Sequence, residues 1–196
     1  MKRIFDILFS LTVLVLFSPF FLIICLIIWL YDFGPVFYKA PRVGLNGKMF
    51  RMFKFRSMVV NADKIGASST TSSDPRITPI GRFVRKTKLD EIPQMINVLV
   101  GEMSVVGPRP EVKKFTDKFN EEEKAILSVK PGITDWASVW NSDEGKILEG
   151  AEDADKAYEE LIWPEKKRLQ LKYVREQSFL NDIKIIFLTL KAILVK

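Results

Sequence analysis

The sequence predicts an α+β fold: a mainly helical, membrane-associated domain with a short β-hairpin and an N-terminal membrane helix. Three observations carry that reading. Residues Ile7 to Tyr31 form a run of 25 positions without a formal charge, one Asn-Gly pair separates two strand-like stretches, and helical patterns dominate the rest of the chain.

At about 1.5 Å per residue, the uncharged run is long enough to cross a hydrocarbon core of about 30 Å as a straight helix. Pro19 interrupts it. Its ring opposes the carbonyl of Val15, and it lacks the N–H that this carbonyl would accept, so the helix must bend there. Ser18 offers a hydroxyl to a freed backbone group. The break at Ser18-Pro19 leaves two arms, Ile7 to Phe17 and Phe20 to Leu30, each about 16 Å long and so about one leaflet deep. Lys2 and Arg3 precede the run, and Lys39, Arg42, Lys48, Arg51, Lys54 and Arg56 follow it. Positive charge marks the cytoplasmic side. A hairpin keeps both basic flanks inside, whereas one crossing puts one of them outside; from this segment alone the two arrangements stand about even. No small-residue cleavage site follows the run, which argues against a cleaved leader.

The boundary falls after residue 34, and residues 35–196 suit one compact domain. Histidine is absent, which excludes histidine general bases, imidazole-bound zinc and Ser-His-Asp chemistry. The lone thiol, Cys25, lies in the apolar run and reads as packing. The net charge of +6 is uneven: residues 35–90 carry twelve Lys or Arg against three Asp, whereas residues 111–196 hold fifteen basic and seventeen acidic groups. A positive patch of this kind attracts phosphate. Beside a membrane segment, anionic lipid and a phosphorylated substrate outrank nucleic acid.

Val36 to Val43 and Met49 to Phe55 read as strands joined by a tight turn at Asn46-Gly47. In Phe53-Lys54-Phe55-Arg56 aromatic and basic residues alternate, so one face can pack while the other meets phosphate. Gly66 to Ser73 is low in complexity and reads as a mobile loop, a lid or a plain surface connection. Helices are expected at Pro93 to Val100, Glu111 to Leu127, Ala151 to Glu160 and Pro164 to Tyr173. The tail, Asp182 to Lys196, has the broad apolar face of an interfacial helix, with a core-packed helix as the plainer alternative.

Chemistry concentrates between Arg76 and Arg109: Arg76, Arg82, Arg85, Lys86 and Lys88, then Asp90-Glu91, then Gly107-Pro108-Arg109-Pro110. Adjacent residues on a helix sit about 100° apart, so Asp90 and Glu91 converge on one atom only at a helix start or in a loop. Pro93 indicates such a start. In this field a carboxylate can serve as a nucleophile or as a ligand for a hard cation, with arginines neutralising phosphate; a helix cap paired to Arg85 or Lys88 is the bland reading.

Taken in order, Lys54-Phe55-Arg56, Asp74-Pro75-Arg76-Ile77-Thr78, Leu89-Asp90-Glu91-Ile92-Pro93-Gln94, Asn97-Val98, Gly101-Glu102-Met103-Ser104, Val106-Gly107-Pro108-Arg109-Pro110 and Pro131-Gly132-Ile133-Thr134 resemble the bacterial sugar transferase family, specifically its small monotopic phosphoglycosyl transferases. The resemblance runs from end to end. It implies a re-entrant helix bent at Ser18-Pro19 and a catalytic domain on the cytoplasmic face of the bacterial inner membrane. It also implies Mg²⁺-dependent transfer of a sugar 1-phosphate from a UDP-sugar to polyprenyl phosphate, with release of UMP. Its nucleophile falls on Asp90, which also touches Mg²⁺, its neighbouring acid on Glu91 and its phosphate-binding arginine on Arg109. Arg76 and Arg85 are added here on physical grounds for pyrophosphate charge. Lys88, Glu102 and Asp135 depart from the commonest pattern, and Trp136 to Gly150 falls where the family varies, so the sugar stays open. A non-catalytic membrane scaffold is the alternative function, and oligomeric state, including a homodimer, is open.

Overall fold

The computed structural model describes residues 1–141 and 143–194. Helix α1 (Lys2–Asp32) carries Pro19 inside a single helical element. The Val15 carbonyl, which Pro19 deprives of a backbone donor, accepts a hydrogen bond from Ser18 Oγ at 2.8 Å, the compensation expected of that serine. Both ends of α1 are tied to the same folded body. At the start Lys2 Nζ donates to Asp182 at 2.5 Å and to the Val106 carbonyl at 2.9 Å, and Arg3 donates to the carbonyls of Val98 and Leu99. Buried Asp6 accepts from Ser104 Oγ and the Val105 N–H. At the far end both terminal nitrogens of Arg56 reach Asp32, at 2.5 and 2.7 Å. Between these ties Leu11, Val15, Leu16, Phe20, Leu22 and Ile23 are exposed, a stripe that water disfavours. Among the described residues α1 is the one helix long and apolar enough to cross a membrane.

Strands β1 (Phe37–Val43) and β2 (Met49–Phe55) form the expected antiparallel hairpin. Asn46 (φ 54°) and Gly47 (φ 76°) both occupy the left-handed region that a tight hairpin turn needs. Helix α2 (Pro79–Lys86), which the sequence reading omitted, begins at Thr78, whose hydroxyl accepts the Gly81 N–H. Helix α3 (Gln94–Val100) falls where expected.

A second sheet, also absent from the sequence reading, pairs β3 (Ser104–Val106) with β4 (Gly132–Thr134) in parallel. Its strands carry three residues each, too few for an alternation to be visible. Where they meet the Pro108 turn, Gly107 and Gly132 touch backbone to backbone: a Cβ on Gly132 would lie 2.1 Å from the Gly107 nitrogen. Gly132→Ala is therefore expected to destabilise the protein by about 2 kcal/mol or more in urea unfolding, a cost of overpacking against backbone that cannot rotate away. A cost under about 0.5 kcal/mol would contradict this close approach.

The helix expected over Glu111 to Leu127 is corrected. Only α4 (Lys113–Thr116) and a 3₁₀ stretch, Glu123–Ser128, form there. Asn120 and Glu123 bond each other's backbone N–H at 2.9 and 3.0 Å, a reciprocal box that starts a new helical turn and so ends the old one. The break lets Phe115, Phe119 and Ile126 converge on Tyr158, Ile162 and Trp163 in one core. Next come α5 (Trp136–Trp140), α6 (Glu144–Ile147), α7 (Ala154–Leu161) and α8 (Trp163–Arg175). The terminal helix α9 (Phe179–Leu194) starts three residues earlier than expected. Ile185 is buried in the core with Val98, Val105 and Tyr173, whereas Leu180, Phe187 and Leu190 are exposed. The tail thus serves the core on one side and presents an apolar surface on the other. Ser142, Val195 and Lys196, within the expected variable segment and tail, lie outside the described residues.

The loop from Gly66 to Ser73 is tied down. Asp155 on α7 accepts the N–H groups of Ser68 and Ser69, and the Ser72 N–H reaches the Gly145 carbonyl on α6 at 3.2 Å.

Candidate active site

The chain leaves α2 through Lys88, a non-glycine residue at φ 60°, a conformation disfavoured by about 1–2 kcal/mol. That reversal delivers Leu89–Glu91 as a 3₁₀ turn immediately before α3. Asp90 is buried at 7 % exposure. Among the described residues its carboxylate has no side-chain hydrogen bond and no ion pair within 4.0 Å.

Glu91, its neighbour, is fully engaged. Arg109 grips it with both terminal nitrogens, one at 3.1 Å to Oε2 and the other to Oε1, and Lys54 Nζ approaches Oε1 at 3.4 Å. A forked guanidinium–carboxylate pair fixes direction as well as charge. Arg109 is itself held from several sides. Its Nη1 donates to the Ile133 carbonyl at 3.1 Å, its backbone N–H donates to Asp135 at 3.1 Å, and Gln170 Nε2 donates to its carbonyl at 3.1 Å. Asp135 also caps α5 through Ser138. Lys54 owes its place to Asn97, which accepts the Phe53 N–H and donates to the Arg51 carbonyl, both at 2.8 Å, locking β2 onto α3.

These contacts split the two adjacent acids. Burial pushes Glu91 upward, but the charges of Arg109 and Lys54 overcome it and hold the carboxyl well below the usual range. Burial raises Asp90; Lys54 opposes that shift, the charge on Glu91 adds to it, and Arg85 and Lys88 oppose it less. Burial also lowers Lys54, against the pull of Glu91. One carboxylate thus favours its charged form and is already paired. The other is unpartnered beside cations, which is the state of a nucleophile or of an oxygen ligand awaiting a cation.

Of the residues foreseen for the site, Asp90, Glu91 and Arg109 come together, and Arg85, in the last turn of α2, adds its charge to Asp90. Arg76 does not join them. Its guanidinium is spent on Asp74 and on the carbonyls of Ala62 and Ala67, bracing the loop that precedes α2. Arg56 likewise pins α1. Lys54 was visible as one of the alternating basic residues. Asn97, Asp135 and Gln170 carried no chemical signal in the sequence, because their task is to position backbone. Behind Arg109 lies a buried network the sequence did not announce: Lys166 Nζ meets Glu111 at 2.7 Å, Glu144 at 2.9 Å and the Tyr158 hydroxyl at 2.9 Å.

The family model described as bacterial sugar transferase matches residues 1–196. The chain is 39 % identical over 195 residues to the UDP-glucose:undecaprenyl-phosphate glucose-1-phosphate transferase of Escherichia coli (strain K12), covering 96 % of this chain and 39 % of that protein. It is 36 % identical to the UDP-N-acetylgalactosamine-undecaprenyl-phosphate N-acetylgalactosaminephosphotransferase of Aeromonas hydrophila, over 98 % of this chain and 43 % of that one. It spans less than half the length of both. With the uncharacterized sugar transferase EpsL of Bacillus subtilis (strain 168) identity is 35 %, over 100 % of this chain and 88 % of the relative.

Proposed function

The chain belongs to the bacterial sugar transferase family, and on that premise we propose that it moves a sugar 1-phosphate from a UDP-sugar to polyprenyl phosphate through a phosphoryl-Asp90 intermediate. The observation that carries this reading is the buried, unpartnered carboxylate of Asp90 beside Lys54, Arg85 and Lys88, next to a Glu91 whose charge is already compensated. In the first step an Asp90 oxygen bonds to the β-phosphorus while the bond to the bridging oxygen breaks, and UMP leaves with that electron pair. In the second a phosphate oxygen of the lipid attacks the same phosphorus and the acyl-phosphate bond breaks, restoring the carboxylate. Splitting one difficult exchange into two is what a covalent nucleophile supplies. Glu91 holds Arg109 and Lys54 in place to neutralise phosphate oxygens, and Arg85 adds charge from α2.

Among the described residues no group of three or more acidic or thiol side chains could hold a metal ion alone. Asp90 nevertheless fits Mg²⁺, as a hard oxygen donor with no competing partner, the remaining ligands being phosphate oxygens and water. Bound there, the ion would supply charge stabilisation on phosphate.

The reading places the domain on the cytoplasmic face of the inner membrane, with α1 entering the bilayer and returning. Its support is that Lys2, Arg3 and Asp6 at one end of α1 and Asp32 at the other are bonded to one folded body, which a single crossing would separate. Accordingly, tags at Lys2 and Gly47 are both expected to resist membrane-impermeant reagents in intact cells; labelling of Lys2 alone would restore the spanning helix. The activity itself is tested with radiolabelled UDP-sugars and polyprenyl phosphate. Label in the lipid with stoichiometric UMP is the expected result, and no transfer from any UDP-sugar would defeat the reading. Relatives named for glucose and for N-acetylgalactosamine leave the sugar to that panel.

A further inference from the structure

Among the described residues near the active site, Arg42, like Arg85 and Lys88 beside Asp90, makes no ion pair with a carboxylate. Around Arg42 stand Lys54, Arg109 and Lys166 with Glu91, Glu111 and Glu144, and Lys54 also acts on Asp90, beside Arg85 and Lys88. Arg109 and Lys54 take Glu91, and Lys166 takes both Glu111 and Glu144. Among the described residues Arg42 has no ion pair within 4.0 Å, and its one side-chain hydrogen bond goes to the adjacent Pro41 carbonyl at 2.8 Å.

The hairpin register sets Arg42, opposite Phe50, on the face that carries Lys54, with the Ala40–Met52 pair between them. The Val43 N–H donates to the Glu111 carbonyl at 2.9 Å, drawing this strand end against the Pro108-Arg109-Pro110 turn. Arg42 therefore shares a strand face with Lys54; burial lowers its affinity for its proton, the charge of Glu111, which makes no ion pair with it, opposes that shift, and the repulsion of Arg109 adds to it. A partly buried guanidinium without an ion pair gains from an added anion.

Position separates the two phosphates of a nucleotide sugar. The charges that act most on Asp90 are Lys54, Glu91, Arg85 and Lys88, whereas Arg42 sits toward Glu111 and Tyr158. The α1 arm, along which a lipid head group would approach, packs through Ile24 and Ile28 against Val84 and Leu89, next to Asp90 and Arg85. Building on the reaction above, we propose that Arg42 binds the phosphate that is not transferred, the monophosphate leaving group of the nucleotide. As the bond between the β-phosphorus and the bridging oxygen breaks, that oxygen gains a full charge, and Arg42 neutralises the monophosphate that carries it away.

The test is calorimetric titration of UMP into the purified full chain in detergent, for the wild type, Arg42→Ala and Arg42→Lys, with thermal unfolding as the control for folding. Arg42→Ala is expected to weaken UMP binding by about 10–100-fold, the scale of a lost charge-assisted phosphate contact, while KM for polyprenyl phosphate stays within about twofold. Arg42→Lys keeps the charge without the fork and should fall between; it decides the matter if the alanine variant does not fold. UMP binding within about twofold of the wild type in both variants would overturn the assignment, as would an equal loss toward polyprenyl phosphate. Transfer that persists with UMP binding indifferent to Arg42 strikes only this site. Absence of transfer from every UDP-sugar, with UMP binding still dependent on Arg42, strikes only the reaction.

Discussion

Asp90→Asn is expected to lower sugar-phosphate transfer by about 10³-fold or more, the scale at which removing a nucleophile acts, while leaving the protein as stable as the wild type or more so. The two effects have one cause. The Asp90 carboxylate is buried without a partner, so folding bears its desolvation, and the amide of Asn is nearly isosteric and neutral. The pH dependence follows with a definite sign. Burial raises Asp90 from its ordinary 3.8, so the folded state holds this proton more tightly than the unfolded one. Its contribution to stability is complete below that ordinary value and is lost as pH rises through the raised one. Transfer moves the opposite way, rising as Asp90 ionises. Urea midpoints measured across acidic pH should lose that component in Asp90→Asn; an unchanged profile would show that Asp90 is not the raised group.

Arg109→Met should cost both folding and turnover. Glu91 would keep only Lys54, at 3.4 Å, for a carboxylate whose side chain is 19 % exposed. Stranding one member of such a pair costs about 3–5 kcal/mol when fully buried, and the residual exposure here argues for about 2–3. Transfer should fall by about 10²–10³-fold, as when one preorganised donor is removed from developing charge. Adding Glu91→Gln should recover at least half of the lost stability and none of the activity, because the double variant removes the stranded charge without restoring a phosphate ligand. A single-variant cost under about 1 kcal/mol would mean that the fork contributes little in solution.

Much of this architecture was legible because it rests on local chemistry. The uncharged run, the Asn46-Gly47 turn and the acid pair before Pro93 each announce themselves within a few residues. Ser18 was expected to serve a backbone group freed by Pro19, and it serves the Val15 carbonyl. What escaped depends on partners distant in sequence. The β3–β4 pair joins residues 104–106 to residues 132–134 through glycines whose only merit is the absence of a Cβ. Arg76 looked like a phosphate ligand because it is an arginine near the acids, yet Asp74, two residues away, already claims it. The expected helix over Glu111 to Leu127 had the right apolar spacing, and the box at Asn120 and Glu123 overrode it. Sequence charge shows which residues are able to bind phosphate, whereas the fold shows what each one meets: Arg76 meets Asp74, Arg109 meets Glu91 beside Asp90, and Arg42 makes no ion pair among the described residues.

The most direct measurement is rapid quench of the wild-type chain with a UDP-sugar in the absence of polyprenyl phosphate, followed by peptide mass spectrometry. The account predicts a sugar-phosphate adduct on Asp90 that forms together with UMP and disappears when the lipid is added. Lipid product formed at full rate with residue 90 never modified would contradict it.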